Sequence, residues 1–437
     1  MKAVVFRKSI PRYLALRAAG RRWPGIYTSV VSPVRLRTLS APPLPTPRWV
    51  RVRPALAGIC GSDLATICAK GSAYLSPLTS TPFVLGHEVV GTVTEVGAKT
   101  DHVAPGDRVV LQPALGCRVR GIEPPCAACA AGQSALCRNV TRGDISGGIQ
   151  TGYCRDTGGA WSEGFVAHPS QLFLVPDAIE DTVAVLCEPF ACALHAVLRA
   201  GLDRAADDVG DAPDSRRRYA DSARSAPPPA TSDPQSALVM GCGSIGLLTI
   251  AAIRAIGSRA RIIAMAKYPH QRDHAEALGA DEVVMHAGSV RERYRRLAAS
   301  LGADLHQPEI GRPTVVGGAD VAFDCVASST SIDDCCRFTR AGGRMMLVGM
   351  PGIPSGIDWT TIWYKELTVR AAYAYGQEQF NGGSRTTFDL AIELLARQSS
   401  LLRPLVGDPF SLPDWREAVR TALHAGASRS VKTTFQS

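Results

Sequence analysis

A short apolar run, Ala237-Leu238-Val239-Met240, leads directly into Gly241-Cys242-Gly243-Ser244-Ile245-Gly246, and an apolar helical stretch from Ile245 to Ile256 follows. Three glycines at this spacing, between a strand and a helix, leave few folds open. Gly241 permits a tight turn, Gly243 lets the backbone approach a bound group, and Gly246 allows close helix–strand packing. The start of the helix, at Ser244 and Ile245, offers free N–H groups and partial positive charge to a pyrophosphate. Helix packing alone would explain one glycine, not three. Further along, short apolar strands keep alternating with helical stretches, the rhythm of a doubly wound parallel sheet.

The first 190 residues have a different texture. Runs such as Trp49-Val50-Arg51-Val52-Arg53, Val89-Val90-Gly91-Thr92-Val93 and Arg108-Val109-Val110-Leu111 alternate apolar and polar residues between Gly and Pro punctuation. That pattern predicts half-buried antiparallel strands. At 437 residues the chain exceeds what one core organises, so two domains are expected. Residues 1–190, completed by 373–437, are expected to form one and residues 191–372 the other. A Ser/Pro-, Asp- and Arg-rich stretch at 201–235 has few apolar groups to offset ordering and reads as a flexible surface insertion. Met1-Lys2-Ala3-Val4-Val5-Phe6 reads as a first strand rather than a signal peptide, and no apolar run reaches membrane-spanning length. A cytoplasmic protein, with no membrane partner, is the expectation. The formal charge is +9, with Arg216-Arg217-Arg218 the one tight basic run. Scattered cations of this kind fit codon bias or attraction of an anionic cofactor better than a nucleic-acid groove, and no nucleic-acid partner is expected.

Thirteen cysteines in such a chain point to metal more than to disulfides. Cys60 sits on a tight Gly-flanked turn, His87 precedes a strand, and Cys187-Glu188-Pro189 supplies a third candidate ligand. Three protein ligands with one open position describe a catalytic zinc, and Cys60, His87 and Glu188 fit it. Such an ion lowers the pKa of a bound alcohol. Singly, each residue has a plainer reading as a core group. Cys126-Ala127-Ala128-Cys129, then seven residues, then Cys137, gives a structural-zinc spacing. The other cysteines, including Cys68, Cys154, Cys192, Cys325, Cys335 and Cys336, fit no ligand spacing and read as core.

Gly58 to Asp63, Gly86-His87-Glu88-Val89-Val90-Gly91 and Pro105-Gly106-Asp107-Arg108-Val109 resemble the zinc-dependent medium-chain dehydrogenase/reductase superfamily. The subgroup of sorbitol, threonine and glucose dehydrogenases is closest in pattern, and the resemblance runs from Met1 to Phe435. It implies an α/β chain with a GroES-like β-rich catalytic domain and a Rossmann domain. It also implies that Cys60 and His87 bind catalytic zinc, with Glu188, directly before Pro189, preferred over Cys187 as third ligand. Ser62 then matches the hydroxyl that holds the substrate oxygen and starts proton relay, and Glu88 an acid beside the zinc. Ala65 stands where a relay His is common, which leaves the proton route open. The resemblance further implies four thiolates around a second, structural zinc. The usual fourth position is Glu123 here, so Cys117 is taken as the fourth ligand, with Glu123 as fallback.

The end of the second strand, Arg261 to Ala266, lacks the carboxylate that NAD enzymes place there. Lys267, Tyr268, His270 and Arg272 follow, so NADP is preferred over NAD, with Lys267 and Arg272 facing a 2′-phosphate. Val348, in Leu347-Val348-Gly349, is expected to border the nicotinamide. The expected activity is hydride transfer between a secondary alcohol or polyol, or its ketone, and NAD(P), by a homodimer or homotetramer. The competing readings are a non-catalytic cofactor-binding or redox-sensing protein and a zinc-free quinone reductase. Intact Cys60, His87 and Glu188 weigh against both.

Overall fold

The computed structural model describes residues 1–202 and 235–436. The insertion expected at 201–235 therefore lies almost wholly outside the described residues, as does the Arg216-Arg217-Arg218 run. Two sheets dominate.

The first is antiparallel at its centre. Strand Val50–Gly58 pairs with Val89–Val96, which pairs with Arg108–Leu111, which in turn pairs with Leu172–Leu174. Phe165–Ala167 joins the other side of Val50–Val52, and the late strand Thr434–Gln436 pairs with Leu56–Gly58. Val50, Val52 and Pro54 are buried while Arg51 and Arg53 face outward, as the period-two pattern requires. Trp161, Phe165, Trp415 and Phe435 fill the core beneath. A smaller sheet pairs Lys2–Phe6 with Val34–Thr38 and Phe83–Val84.

The second sheet has six strands, all parallel. Its spatial order is Glu282–Met285, Arg261–Ala266, Ser236–Met240, Ala319–Asp324, Thr339–Leu347, Thr368–Ala371. In chain order that is 3-2-1-4-5-6, the doubly wound arrangement whose crevice opens where the order reverses, beside the first strand. Ala237, Leu238 and Val239 are fully buried, which is why the strand reads as unbroken apolar sequence. A GroES-like β-rich region joined to a Rossmann-type sheet is thus the observed fold class.

One helix joins the two regions. Cys187–Ala200 carries Pro189 in its first turn, where a missing N–H costs nothing, and ends at Gly201 in the left-handed conformation. Its residues share one core with Leu56, Val90 and Val110 of the first sheet and Val239 and Phe323 of the second. Buried His195 meets Glu378 at 2.5 Å, and Thr387 donates to the same carboxylate at 2.7 Å, fixing the helix to strand Gln377–Phe380. No helix among the described residues is long and apolar enough to cross a membrane.

Candidate active site

Cys60 caps the short helix Gly61–Ile67, and its own N–H donates to Asp63 Oδ2 at 3.0 Å. Asp63 is fully buried, and its other oxygen faces His87 Nδ1 at 3.7 Å, too far for a hydrogen bond. Both atoms are buried without a hydrogen-bond partner. The second ring nitrogen, Nε2, lies 3.4 Å from Ser62 Oγ. Burial disfavours a charged His87, but Asp63, then Cys60 and Glu188, outweigh it and raise the imidazole well above its ordinary value. A buried imidazole backed by a carboxylate is the arrangement in which a metal-ligating histidine is oriented.

Glu188 opens the central helix. Burial lifts its carboxyl to about 7, with His87 pulling down, Glu88 pushing up and Lys432 pulling down. Cys192, one turn on, donates its thiol to Glu188 Oε1 at 3.6 Å. Cys187, by contrast, points into the shared core, where burial drives its thiol upward. Of the two neighbours, Glu188 is the one that faces Cys60 and His87. Glu88 is buried and gripped by Lys432, whose Nζ donates to its two oxygens at 2.8 and 2.6 Å. Burial opposes the Lys432 charge, and Glu88, with Cys60, more than restores it. Tyr153 closes the side near Ser62: its hydroxyl is 3.0 Å from Thr66 Oγ1 and its ring 6.1 Å from that of His87.

The structure therefore places half-buried Cys60 and Ser62 beside buried His87, with buried Glu88 and Glu188 close enough to act on the same groups. Asp63, Tyr153 and Lys432 belong to this cluster without having been singled out, and Cys192, expected in the core, is only half-buried and stands beside Glu188 instead. Cys192 was readable from its spacing of four after Glu188, which puts both on one helix face. Lys432 had no local signal beyond a lone cation before a short strand, Thr434–Gln436.

The second set is tighter. Among the described residues, Cys117, Cys126, Cys129 and Cys137 form the group whose ligand atoms close to metal-holding spacing, all within 4.8 Å of one another, whereas the expected catalytic ligands Cys60, His87 and Glu188 do not form such a group. The Cys117 and Cys137 sulfurs are 3.6 Å apart and those of Cys126 and Cys137 3.9 Å. Tetrahedral zinc–thiolate bonds of about 2.3 Å put sulfurs roughly 3.8 Å apart, so the spacing fits that ion. Backbone N–H groups of Cys117, Cys126 and Asn139 point at Cys129, Cys117 and Cys137 sulfurs, each at 3.3 Å. The N–H of Cys129 holds the Cys126 thiol down to about 6. Glu123 is exposed on the turn, outside this set.

At the glycine turn, Gly241 takes a φ of +94°, and a Cβ on Gly246 would sit 1.7 Å from the Gly241 carbonyl oxygen. A Cβ on Gly243 would meet nothing within 4 Å, so no protein packing demands that glycine, and its smallness leaves space for a ligand. Helix Ser244–Ala255 follows, and Ser244 Oγ donates to the Val431 carbonyl at 2.7 Å. Val348 lies two strands away, its N–H donating to the Asp324 carbonyl at 3.1 Å. Past the second strand, Lys267 is exposed beside the Tyr268 ring, and His270 Nε2 is buried without a partner. Arg272 is turned instead to Asp273 at 3.0 Å and Glu276 at 3.9 Å.

Two family models cover this chain: an alcohol dehydrogenase GroES-like domain over residues 46–177 and a zinc-binding dehydrogenase domain over 244–397. An L-idonate 5-dehydrogenase of Vitis vinifera is 28% identical over 94% of this chain and 92% of its own length. A sorbitol dehydrogenase of Arabidopsis thaliana is 27% identical over 94% and 93%. The crystal structure of 2R,3R-butanediol dehydrogenase from Bacillus subtilis shares the fold, with a TM-score of 0.66 at 23% identity over 100% and 99% of the two chains. With both halves matched by family models and an L-idonate 5-dehydrogenase and a sorbitol dehydrogenase aligned along nearly its whole length, the chain belongs to the zinc-dependent medium-chain dehydrogenase/reductase superfamily.

Proposed function

We propose that this protein is a zinc-dependent oxidoreductase that exchanges hydride between a secondary alcohol or polyol, or the matching ketone, and NAD(P). One observation carries the reading. The buried His87 imidazole is backed by Asp63 and is raised further by the Cys60 thiol and the Glu188 carboxylate, which come from two other elements. Residues 1–190 with 373–437 would form the catalytic domain and 191–372 the cofactor-binding domain.

Cys60, His87 and Glu188 would hold the catalytic zinc, and Cys117, Cys126, Cys129 and Cys137 a structural one. When bound at the first set, zinc supplies Lewis-acid polarisation of the substrate oxygen. Asp63 orients His87 through Nδ1 and keeps Nε2 directed at the Ser62 side. Ser62 Oγ, beside that ring, is placed to hydrogen-bond a substrate hydroxyl and accept its proton. Tyr153 and Thr66, hydrogen-bonded to each other at 3.0 Å, continue the polar path where Ala65 offers nothing. Lys432 neutralises Glu88 and holds it against the cluster.

Gly241, Gly243 and Gly246, with the N–H groups at Ser244 and Ile245, would receive the cofactor pyrophosphate. Ala266 presents no carboxylate to a 2′-phosphate. Lys267, and His270 with its unpartnered nitrogen, support NADP over NAD, whereas Arg272 already has two carboxylate partners.

The test is a panel of secondary alcohols and polyols, each offered with NADP and with NAD, read at the reduced-nicotinamide absorbance. Turnover with at least one alcohol, higher with NADP, is expected. Silence across the panel with both cofactors, in protein that retains two zinc ions per chain, would sink the reading.

A further inference from the structure

The cations of this chain are not evenly spread. Residues 1–62 contain 12 of its 48 Lys and Arg and none of its 39 Asp and Glu, so the remaining 375 residues carry 36 cations against 39 anions. The whole positive excess belongs to the N-terminal segment, a concentration that the chain-wide charge conceals. The family model begins at residue 46, after most of it.

Between Phe6 and Val34 the chain leaves the small sheet to form helix Ile10–Ala19 and a turn at Pro24–Thr28. The segment is pinned from one side. Leu16 and Tyr27 are buried in the core of the first sheet, and Arg416 and Arg420 donate to Thr28 at 3.0 and 3.2 Å. The opposite side of the helix faces solvent, and it is apolar. Ile10 is 67% exposed, Leu14 60% and Tyr13 41%, with Trp23 at 64% just beyond the helix. Arg17 stands in the middle of this face, Arg7 and Lys8 precede it, and Arg21 and Arg22 follow it, all exposed. Lys8 Nζ also donates to Ser76 Oγ at 2.7 Å, which extends the face to Tyr74, 81% exposed, and Leu75.

We infer that this N-terminal face docks on an anionic lipid surface. A helix that turns aliphatic and aromatic side chains outward, ringed by cations with no acid among them, matches the headgroup–acyl boundary of such a bilayer. Tryptophan and tyrosine suit that depth, and arginine stems extend to anionic headgroups. Nucleic acid would satisfy the cations but has no counterpart for Ile10 and Leu14. A second copy seated on the same face would set like charges against each other. None of the residues on this face belongs to the candidate site or the glycine turn, so substitutions here leave the proposed catalytic residues in place.

The full chain is pelleted with vesicles of phosphatidylcholine alone and with equimolar phosphatidylcholine and phosphatidylglycerol, at low and high salt. Binding to the phosphatidylglycerol vesicles that fades at high salt, with little binding to the neutral ones, is expected. The pair Arg21→Glu and Arg22→Glu weakens it by roughly tenfold or more, and Leu14→Ser weakens it too. Dehydrogenase turnover in the same preparations stays at the unsubstituted level and shows that the variants fold. Equal pelleting with both vesicles, or binding indifferent to these substitutions, overturns the inference. So does a dimer in sedimentation velocity that Leu14→Ser dissolves without any vesicle binding, or duplex DNA bound in preference to phosphatidylglycerol.

Discussion

The two candidate metal sites are built in opposite ways. Cys117, Cys126, Cys129 and Cys137 lie within twenty positions of one another, inside a single loop, and their sulfurs are already at zinc-like spacing with N–H groups aimed at them. Cys60, His87 and Glu188 come from a capping turn, a strand approach and a distant helix, and their ligand atoms are not drawn to metal-holding spacing as the four thiols are. There the buried Asp63 oxygen and His87 Nδ1 lack hydrogen-bond partners. A local loop can satisfy its ligands before anything else folds. A site spread across the fold depends on long-range pairs such as Asp63 and His87, 3.7 Å apart, to hold the ring so that Nε2 faces what binds there.

The contrast can be broken from either side. The largest effect is expected from Cys60→Ser, which should cost on the order of a thousandfold in kcat/KM, since the polarisation it supports is worth several kcal/mol. Zinc analysis of the same variant should find one ion per chain rather than two, with the melting temperature nearly unchanged. Cys126→Ser should do the reverse. We expect a stability loss of about 3 kcal/mol, roughly 5–10 °C in Tm, while the molecules that stay folded keep most of their turnover. If Cys126→Ser silenced turnover without lowering Tm, the division into a catalytic and a structural set would fail. Asp63→Asn tests whether the His87 partner matters. Zinc affinity at the first set or kcat should drop about 10- to 100-fold, with zinc at the four thiols retained. Cys192→Ala is the smallest. Its thiol touches Glu188 at 3.6 Å but completes no ligand set, so kcat should stay within about threefold. A larger loss would place Cys192 in the metal site itself.

What the sequence discloses follows the same division. The glycine turn is legible because the positive φ of Gly241 and the contact of Gly246 with the Gly241 carbonyl both act within six residues. Cys126, Cys129 and Cys137 announce themselves by spacing, and the choice between Cys117 and Glu123 only needed their burial. Lys432 lies 344 positions from Glu88, and nothing in between registers their pairing. Tyr153 likewise reaches its place near Ser62 through tertiary packing alone. Arg272 is a different case. Its carboxylate neighbours, at positions one and four further on, stand in plain view on the same helix. The basic N-terminal face was countable too, but a charge summed over the whole chain averages it away.

The last strand has a consequence for how the enzyme comes into being. Thr434–Gln436 closes the antiparallel sheet against Leu56–Gly58, and Lys432 touches the Ile59 carbonyl across 373 positions. During synthesis the β-rich half emerges first yet waits for the parallel-sheet half to follow before its edge is sealed and Glu88 meets its counter-ion. Nascent chains stalled just short of residue 430 would therefore carry a finished nucleotide fold beside an unfinished reaction chamber.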